Sequence, residues 1–321
     1  MERSLNRTSR SSLGVNLPIE WTKKFSLKPR DKVKIIEKGN RLVLSTNLSA
    51  EKEITLDLTE GNISSIRQSI YESYIGGYDI IHLKYQPTTQ DLWSDGIKIL
   101  STKELIQKTV ENLMLLECME LTDEKATLQV MESEYNIREF KKMLSLTFVL
   151  LKNFSQEINK ELHKKKCKNN FSFLESQHRN LRRYIRYSNR YLAKVGLGEK
   201  TLSYKDLFEK LERLTICLKF MYTMHKELPI KMRFGSEGLN LFNDIVCLLT
   251  DSLENFNNYD SKNAASLYER RRELTLRAYQ LAKSDYKPEM VISQRWVEIL
   301  SKIVFIINHS APITCEKPKS M

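Results

Sequence analysis

From Ser133 to its end, the chain places apolar residues three and four positions apart almost without interruption. This periodicity is the strongest constraint on its fold. Ile137, Phe140, Leu144, Phe148, Leu151 and Phe154 would form one stripe on a helix, and such a stripe must be buried against neighbouring helices. Six long amphipathic helices are predicted, beginning near Ser133, Phe171, Ser203, Glu237, Ser261 and Gln294. Pro229 and Gly235 divide them three and three, which suggests a duplicated three-helix unit. Only 10 glycines and 7 prolines in 321 residues argue against a turn-rich all-β chain, so the fold class expected is mainly α and multidomain.

Residues 51–131 read differently. Strands are predicted at EITLDL, DIIHLKY and KATLQVM, with helices from about Ile63 to Gly76 and from about Lys103 to Leu115, giving a small α/β unit. Gly76-Gly77 supplies a helix stop, and Ser101 with Glu104 has the spacing of a capping box.

Charge is concentrated at the other end. The chain carries 52 basic and 40 acidic residues, a net charge of +12, and residues 1–46 hold eleven of the former and four of the latter. Within this basic segment LGVNLP, KVKIIEK and RLVLST alternate as strands, Ile19 to Phe25 suits a short helix, and Gly39-Asn40 suits a hairpin turn. A basic surface on a small β-rich unit can neutralise DNA phosphates and release their counterions.

Enzyme chemistry finds little support. The chain contains no phosphate-binding glycine loop, no H-E-x-x-H and no G-x-S-x-G, and its five histidines are dispersed. We therefore expect a non-enzyme. Its five cysteines occur singly, as in reduced cytosolic proteins, and no run approaches the ~18 apolar residues of a membrane span. The N-terminus lacks the apolar region of a secretory signal, so a soluble, cytoplasmic protein without membrane insertion is expected.

Three side-chain groups carry potential chemistry in the helical part. Arg179, Arg183, Arg186 and Arg190, joined by Arg182, fall largely on one helical face, preceded by Lys164, Lys165, Lys166 and Lys168. The ordinary reading is a solvated face; the alternative is a surface for an anion or an acidic partner, because guanidinium forks suit phosphate and carboxylate. Glu175 with His178, and Glu269 with Glu273, each present two ligand-type side chains at helical spacing, as do His163 and Cys167. Surface carboxylates and a solvated histidine are the default for such pairs. Tyr184, Tyr187 and Tyr191 are expected to pack in a core rather than stack on bases.

The segment SSLGVNLPIEWTKKFSLKPRDKVKIIEKGNRLVLS resembles the AbrB/SpoVT-type swapped-hairpin DNA-binding domain: strand, LPIEW, basic helix, polar turn with Asp31, hairpin. The resemblance implies that two chains interleave hairpins into one barrel, each supplying half of it. Followed by helical repeats, the layout resembles the archaeal phosphate uptake regulators, in which a PhoU-like helical region follows such a head. ISSIRQSIYESYIGGYD and ECMELTDEKATLQVM resemble the segments that join head and bundles there, and Leu211-Glu212-Arg213-Leu214 resembles a signature on the third PhoU helix. Arg7 and Lys23 fall where the family places basic DNA contacts. Gly14 and Thr22 stand where it has further arginines, and Arg30 replaces a turn glycine before Asp31. PhoU bundles carry acidic motifs for a divalent metal; here ESQHRN keeps Glu175 with His178 and Asn180, and ERRRE keeps Glu269 and Glu273. No cofactor is firmly implied; a divalent metal at these degraded motifs is the one candidate the resemblance offers.

The expected organisation is therefore an AbrB-like half-barrel at 1–48, an α/β unit at 49–132, and PhoU-like three-helix bundles at 133–228 and 229–321. Function is expected to be transcriptional regulation linked to phosphate uptake or a related signal, through double-stranded DNA and a homodimeric head. Arg7, Arg10, Lys23 and Lys24 are the expected phosphate contacts, and Leu17, Trp21 and Val33 the supports of the head's core. The rival is a PhoU-like adaptor that regulates a transporter or sensor kinase by protein contact alone.

Overall fold

The computed structural model describes residues 3–9, 11–24, 26–38, 41–46, 51–93, 96–131, 135–164, 171–227, 235–283 and 287–314. It is mainly helical and packs as two units, Met1–Lys52 and Glu53–Met321.

The first unit contains two antiparallel pairs. Strand β1 (Leu5–Arg7) lies against β2 (Leu13–Val15), and β3 (Val33–Lys38) against β4 (Arg41–Thr46), with helix α1 (Ile19–Lys24) between them in sequence. Gly39-Asn40 lies outside the described residues. Asp31 closes the turn after α1, accepting from the Lys28 amide at 2.6 Å, and Arg30 there has φ +81°, a left-handed conformation that ordinarily selects glycine. At Gly14, directly opposite Asn6, a Cβ would lie 2.7 Å from the Thr8 methyl, so an arginine does not fit this pairing without a shift. Among the residues of this unit whose side chains are described, none is buried. Leu17, Trp21 and Val33 are half-buried, while Leu5, Leu13, Ile19, Ile35 and Leu42 are each at least 60% exposed.

The second unit begins with β5 (Glu53–Asp57), α2 (Ile63–Ile75) and β6 (Ile80–Lys84), the strands pairing in parallel. Asn62 caps α2 by accepting from the Ser65 amide, and the helix ends where Gly77 takes φ +85°. The Tyr78 amide then reaches the Ser73 carbonyl and the Gly77 amide that of Tyr74, satisfying carbonyls that a helix end leaves open. A hairpin of β7 (Thr88–Trp93) and β8 (Gly96–Ser101) leads into α3 (Thr102–Val110). Strands β9 (Leu116–Leu121) and β10 (Lys125–Val130) complete a sheet of order β5-β6-β10-β9. Ser101 does precede α3, but its side chain makes no capping bond. Alternation buries Ile81, Leu83, Ala126 and Leu128 on one face, which packs with Ile66 and Ile70 of α2 and Leu105 and Ile106 of α3.

Six helices follow: α4 (Ile137–Leu162), α5 (Phe171–Lys194), α6 (Lys200–Glu227), α7 (Ser236–Asn257), α8 (Ser261–Ala282) and α9 (Lys287–Thr314). The α4 stripe is buried from Phe140 to Phe154, whereas Ile137 is 46% exposed because it is the first residue after the Asn136 cap. Phe140 sits among Tyr191, Tyr204 and Phe208, with ring centroids 4.9–6.0 Å away, and truncation there would cost about 3–5 kcal/mol. Both triplets contribute to one continuous core, from Phe140 and Leu181 through Phe242 to Trp296 and Ile313.

Candidate functional site

In the first unit the exposed side chains include Arg7 on β1 and Lys23 on α1, together with Arg3, Lys28, Arg30 and Lys32. Arg10 lies outside the described residues. Lys24 ends α1, and its side chain is not described. Thr22, where an arginine was expected from the family pattern, turns its hydroxyl back onto the Ile19 carbonyl.

The arginine row of α5 does not form one solvated face. Arg190 is fully buried and acts as a clamp: it donates to the Tyr74 carbonyl at 3.0 Å and the Tyr78 carbonyl at 2.6 Å, to Asp79, and to the Tyr135 hydroxyl at 2.9 Å. Lys194 pairs with the other oxygen of Asp79. Arg190 is therefore removed from the expected partner face, because it is fully buried and all three of its nitrogens are bonded inside the molecule. Tyr187 and Tyr191 are buried as expected, and Tyr184 is half-buried.

One turn earlier on α5, the chemistry opens outward. Arg179, Arg182 and Arg186 meet Lys219 of α6 and Arg67 and Lys108 from α2 and α3 around a cavity of about 300 Å³. Arg182 and Arg186 share the Glu212 carboxylate at 2.8 and 3.3 Å, Lys219 pairs with Glu175 at 2.6 Å, and Lys108 lies 3.8 Å from Glu104. Arg67 and Arg179 have no ion-pair partner among the described residues. Six cations thus meet three carboxylates. Arg186 is the most constrained member: its guanidinium carbon lies 3.6 Å above the Tyr71 ring, and its Nε is buried without a hydrogen-bond partner. Burial, and then repulsion by Arg182, draws its pKa below the ordinary arginine value.

His178 lines the same cavity, 6% exposed, with Nε2 buried and unpartnered. Burial, aided by Arg182, Lys219 and Arg186, lowers its pKa to about 3, so the imidazole is neutral at physiological pH. Glu175 is engaged by Lys219, and Glu269 and Glu273 are exposed on α8. Among the described residues no group of three or more His, Cys, Asp and Glu side chains is placed to hold a metal ion. Cys167, the partner suggested for His163, lies outside them. The sequence reading missed Arg67, Lys108 and Lys219 because each is a single cation on a different helix, without a periodic signal.

A second cavity of about 480 Å³ shares Tyr71, Arg182 and Arg186 with the first, but its cations face Glu72, Glu209, Glu212 and Glu298. Arg213–Glu209 and Arg295–Glu298 pairs balance its charge locally. Among the described residues no helix is long and apolar enough to cross a membrane. Comparison with protein-family models, curated proteins and solved structures finds no match to this chain.

Proposed function

We propose that the chain is a DNA-binding transcriptional regulator that works as a homodimer through residues 1–52, with the helical body serving as a sensing or relay element. The observation that carries this reading is the incomplete first unit. Among the side chains of this unit that the structure describes none is buried and five large apolar ones are at least 60% exposed, which leaves apolar surface in water, and a second copy is the simplest cover. Its two strand pairs also leave outer edges open to pairing. Those features accord with the resemblance to interleaved AbrB/SpoVT-type hairpins. The exposed Arg7 and Lys23, with Arg3, Lys28, Arg30 and Lys32, supply the cationic surface that duplex phosphates require. Phosphate uptake, or a related signal, is the regulated process that the likeness to archaeal phosphate uptake regulators suggests.

The test is a fluorescence-anisotropy titration of the full chain against duplex DNA over a salt series. Arg7→Ala and Lys23→Ala should each weaken binding across sequences and lower the salt slope by roughly one unit. Unchanged slopes would remove these residues from the interface. No salt-sensitive DNA affinity at all would favour the adaptor that acts by protein contact.

A further inference from the structure

The cation-lined cavity between α2, α3, α5 and α6 is a structural cost unless something fills it. Six cations against Glu104, Glu175 and Glu212 leave three positive charges in excess around one small space. Like charges so placed repel, and the partly desolvated Arg186 has given up hydration without a partner for its Nε. Arg67 of α2 and Arg179 of α5 have no carboxylate of their own among the described residues.

We propose that this cavity binds a small molecule bearing a pyrophosphoryl group or two adjacent phosphoryl groups. Charge selects the class: a phosphomonoester supplies about 1.5 to 2 negative charges near pH 7, so one group falls short of three and two adjacent groups match it. Geometry agrees with it. Arg179 and Arg182 of α5 and Arg67 of α2 line the same cavity, so guanidinium groups reach it from two helices, which suits a group rich in phosphoryl oxygens. A volume of about 300 Å³ lies at the lower end of ligand pockets and admits such a group with little else. Neutral His178 offers an Nε2 that donates in one tautomer, and Asn112 adds a polar side chain to the lining. The more open alternative, a stretch of DNA backbone, fits less well, because His178 and Arg186 are both at least nine-tenths buried.

This inference does not rest on DNA binding by the first unit, and its test contains no DNA in the primary arm. Calorimetric titration of the full chain with inorganic pyrophosphate, ADP and inorganic phosphate at constant ionic strength should give saturable binding of the first two and weaker binding of the third. Tighter binding of ADP than of pyrophosphate would identify a nucleotide as the source, and the reverse a free oligophosphate. Arg67→Gln/Arg179→Gln removes two cations that hold no ion pair and relieves part of the repulsion, so its unliganded melting temperature should be no lower than the wild type's while affinity falls about tenfold or more. Lys108→Gln provides a second variant should the first fold poorly. The control Arg138→Gln/Lys141→Gln, which removes the same charge from exposed positions on α4, should bind as the wild type does. Absence of saturable binding, equal affinity in the cavity variants, or equal loss in the control would each overturn the proposal. So would indifference to pyrophosphate combined with a duplex-DNA affinity that depends on Arg67 and Arg179.

Discussion

Arg190 and Asp79 form an ion pair sealed between the fifth helix and the turn that follows the second, the arginine being wholly removed from solvent. This pair joins the sheet layer to the helical layer. Three further guanidinium hydrogens are used by the Tyr74 and Tyr78 carbonyls and the Tyr135 hydroxyl. Breaking such a group from one side strands the other, and Asp79→Ala would leave both Arg190 and Lys194 without their carboxylate. We expect it to cost about 3–5 kcal/mol, read as a lower urea midpoint. A loss below about 1 kcal/mol would show that the clamp is dispensable.

His178 gives stability a dependence on pH. Its folded-state pKa is about 3 against an ordinary 6.5, so between these values the unfolded chain binds the proton and the folded chain does not. Its contribution is therefore complete above pH 6.5 and is lost as pH falls toward 3. The slope from this one residue is at most about 1.4 kcal/mol per pH unit. His178→Phe should flatten the profile in that window, and the same slope in wild type and variant would assign it to other groups.

An anion in the cavity should act on the same imidazole. Negative charge beside His178 offsets the repulsion from Arg182, Lys219 and Arg186, so saturating pyrophosphate should raise its pKa. Imidazole resonances followed by NMR from pH 7 down to about 3, where the unliganded imidazole titrates, report this directly. An identical titration with and without the anion would place the ligand elsewhere.

Arg30 holds a left-handed conformation at φ +81°, where a side chain costs about 1 kcal/mol relative to glycine. Arg30→Gly should therefore slow amide exchange in β3 and β4 by roughly fivefold. Slower exchange would confirm relief of strain; faster exchange would mean that the arginine side chain contributes more than its backbone loses.

Exposed leucines in the first unit set an expectation for assembly. Sedimentation of the wild type should give a dimer, and Leu13→Lys/Leu42→Lys should give a monomer, because a charge is costly on a covered apolar face. A monomeric wild type, or a variant that stays dimeric, would contradict assembly through this unit.

The helical part was legible where periodicity reports burial directly. The starts at Phe171 and Ser261 coincide with α5 and α8, and those at Glu237 and Ser203 fall within one and three residues of α7 and α6. At α9 the helix begins at Lys287, seven residues before Gln294, because Pro288 occupies the first turn, where no amide bond is lost. β1, the β7–β8 hairpin and β9 were not anticipated; β1 is only three residues long, and LECMEL in β9 carries charged residues among its apolar ones without a clear alternation. The arginine row was visible as a row, yet its division was not. Arg190 turns inward because Asp79 and two carbonyls wait more than a hundred residues upstream, and Arg179 opens onto a cavity completed by Arg67 and Lys108. Such convergence is a property of tertiary packing, to which helical spacing is blind.

The wall made by Tyr71, Arg182 and Arg186 has a chamber on either side, one rich in cations and the other evenly mixed. Both arginines hold Glu212, which faces the mixed chamber. Any occupant that draws either guanidinium toward the cationic side withdraws positive charge from Glu212, and the neighbouring room becomes more acidic without itself being entered. Occupancy of the two chambers would then be linked through one carboxylate, and by reciprocity a cation admitted to the mixed chamber would free the arginines to grip an anion in the other.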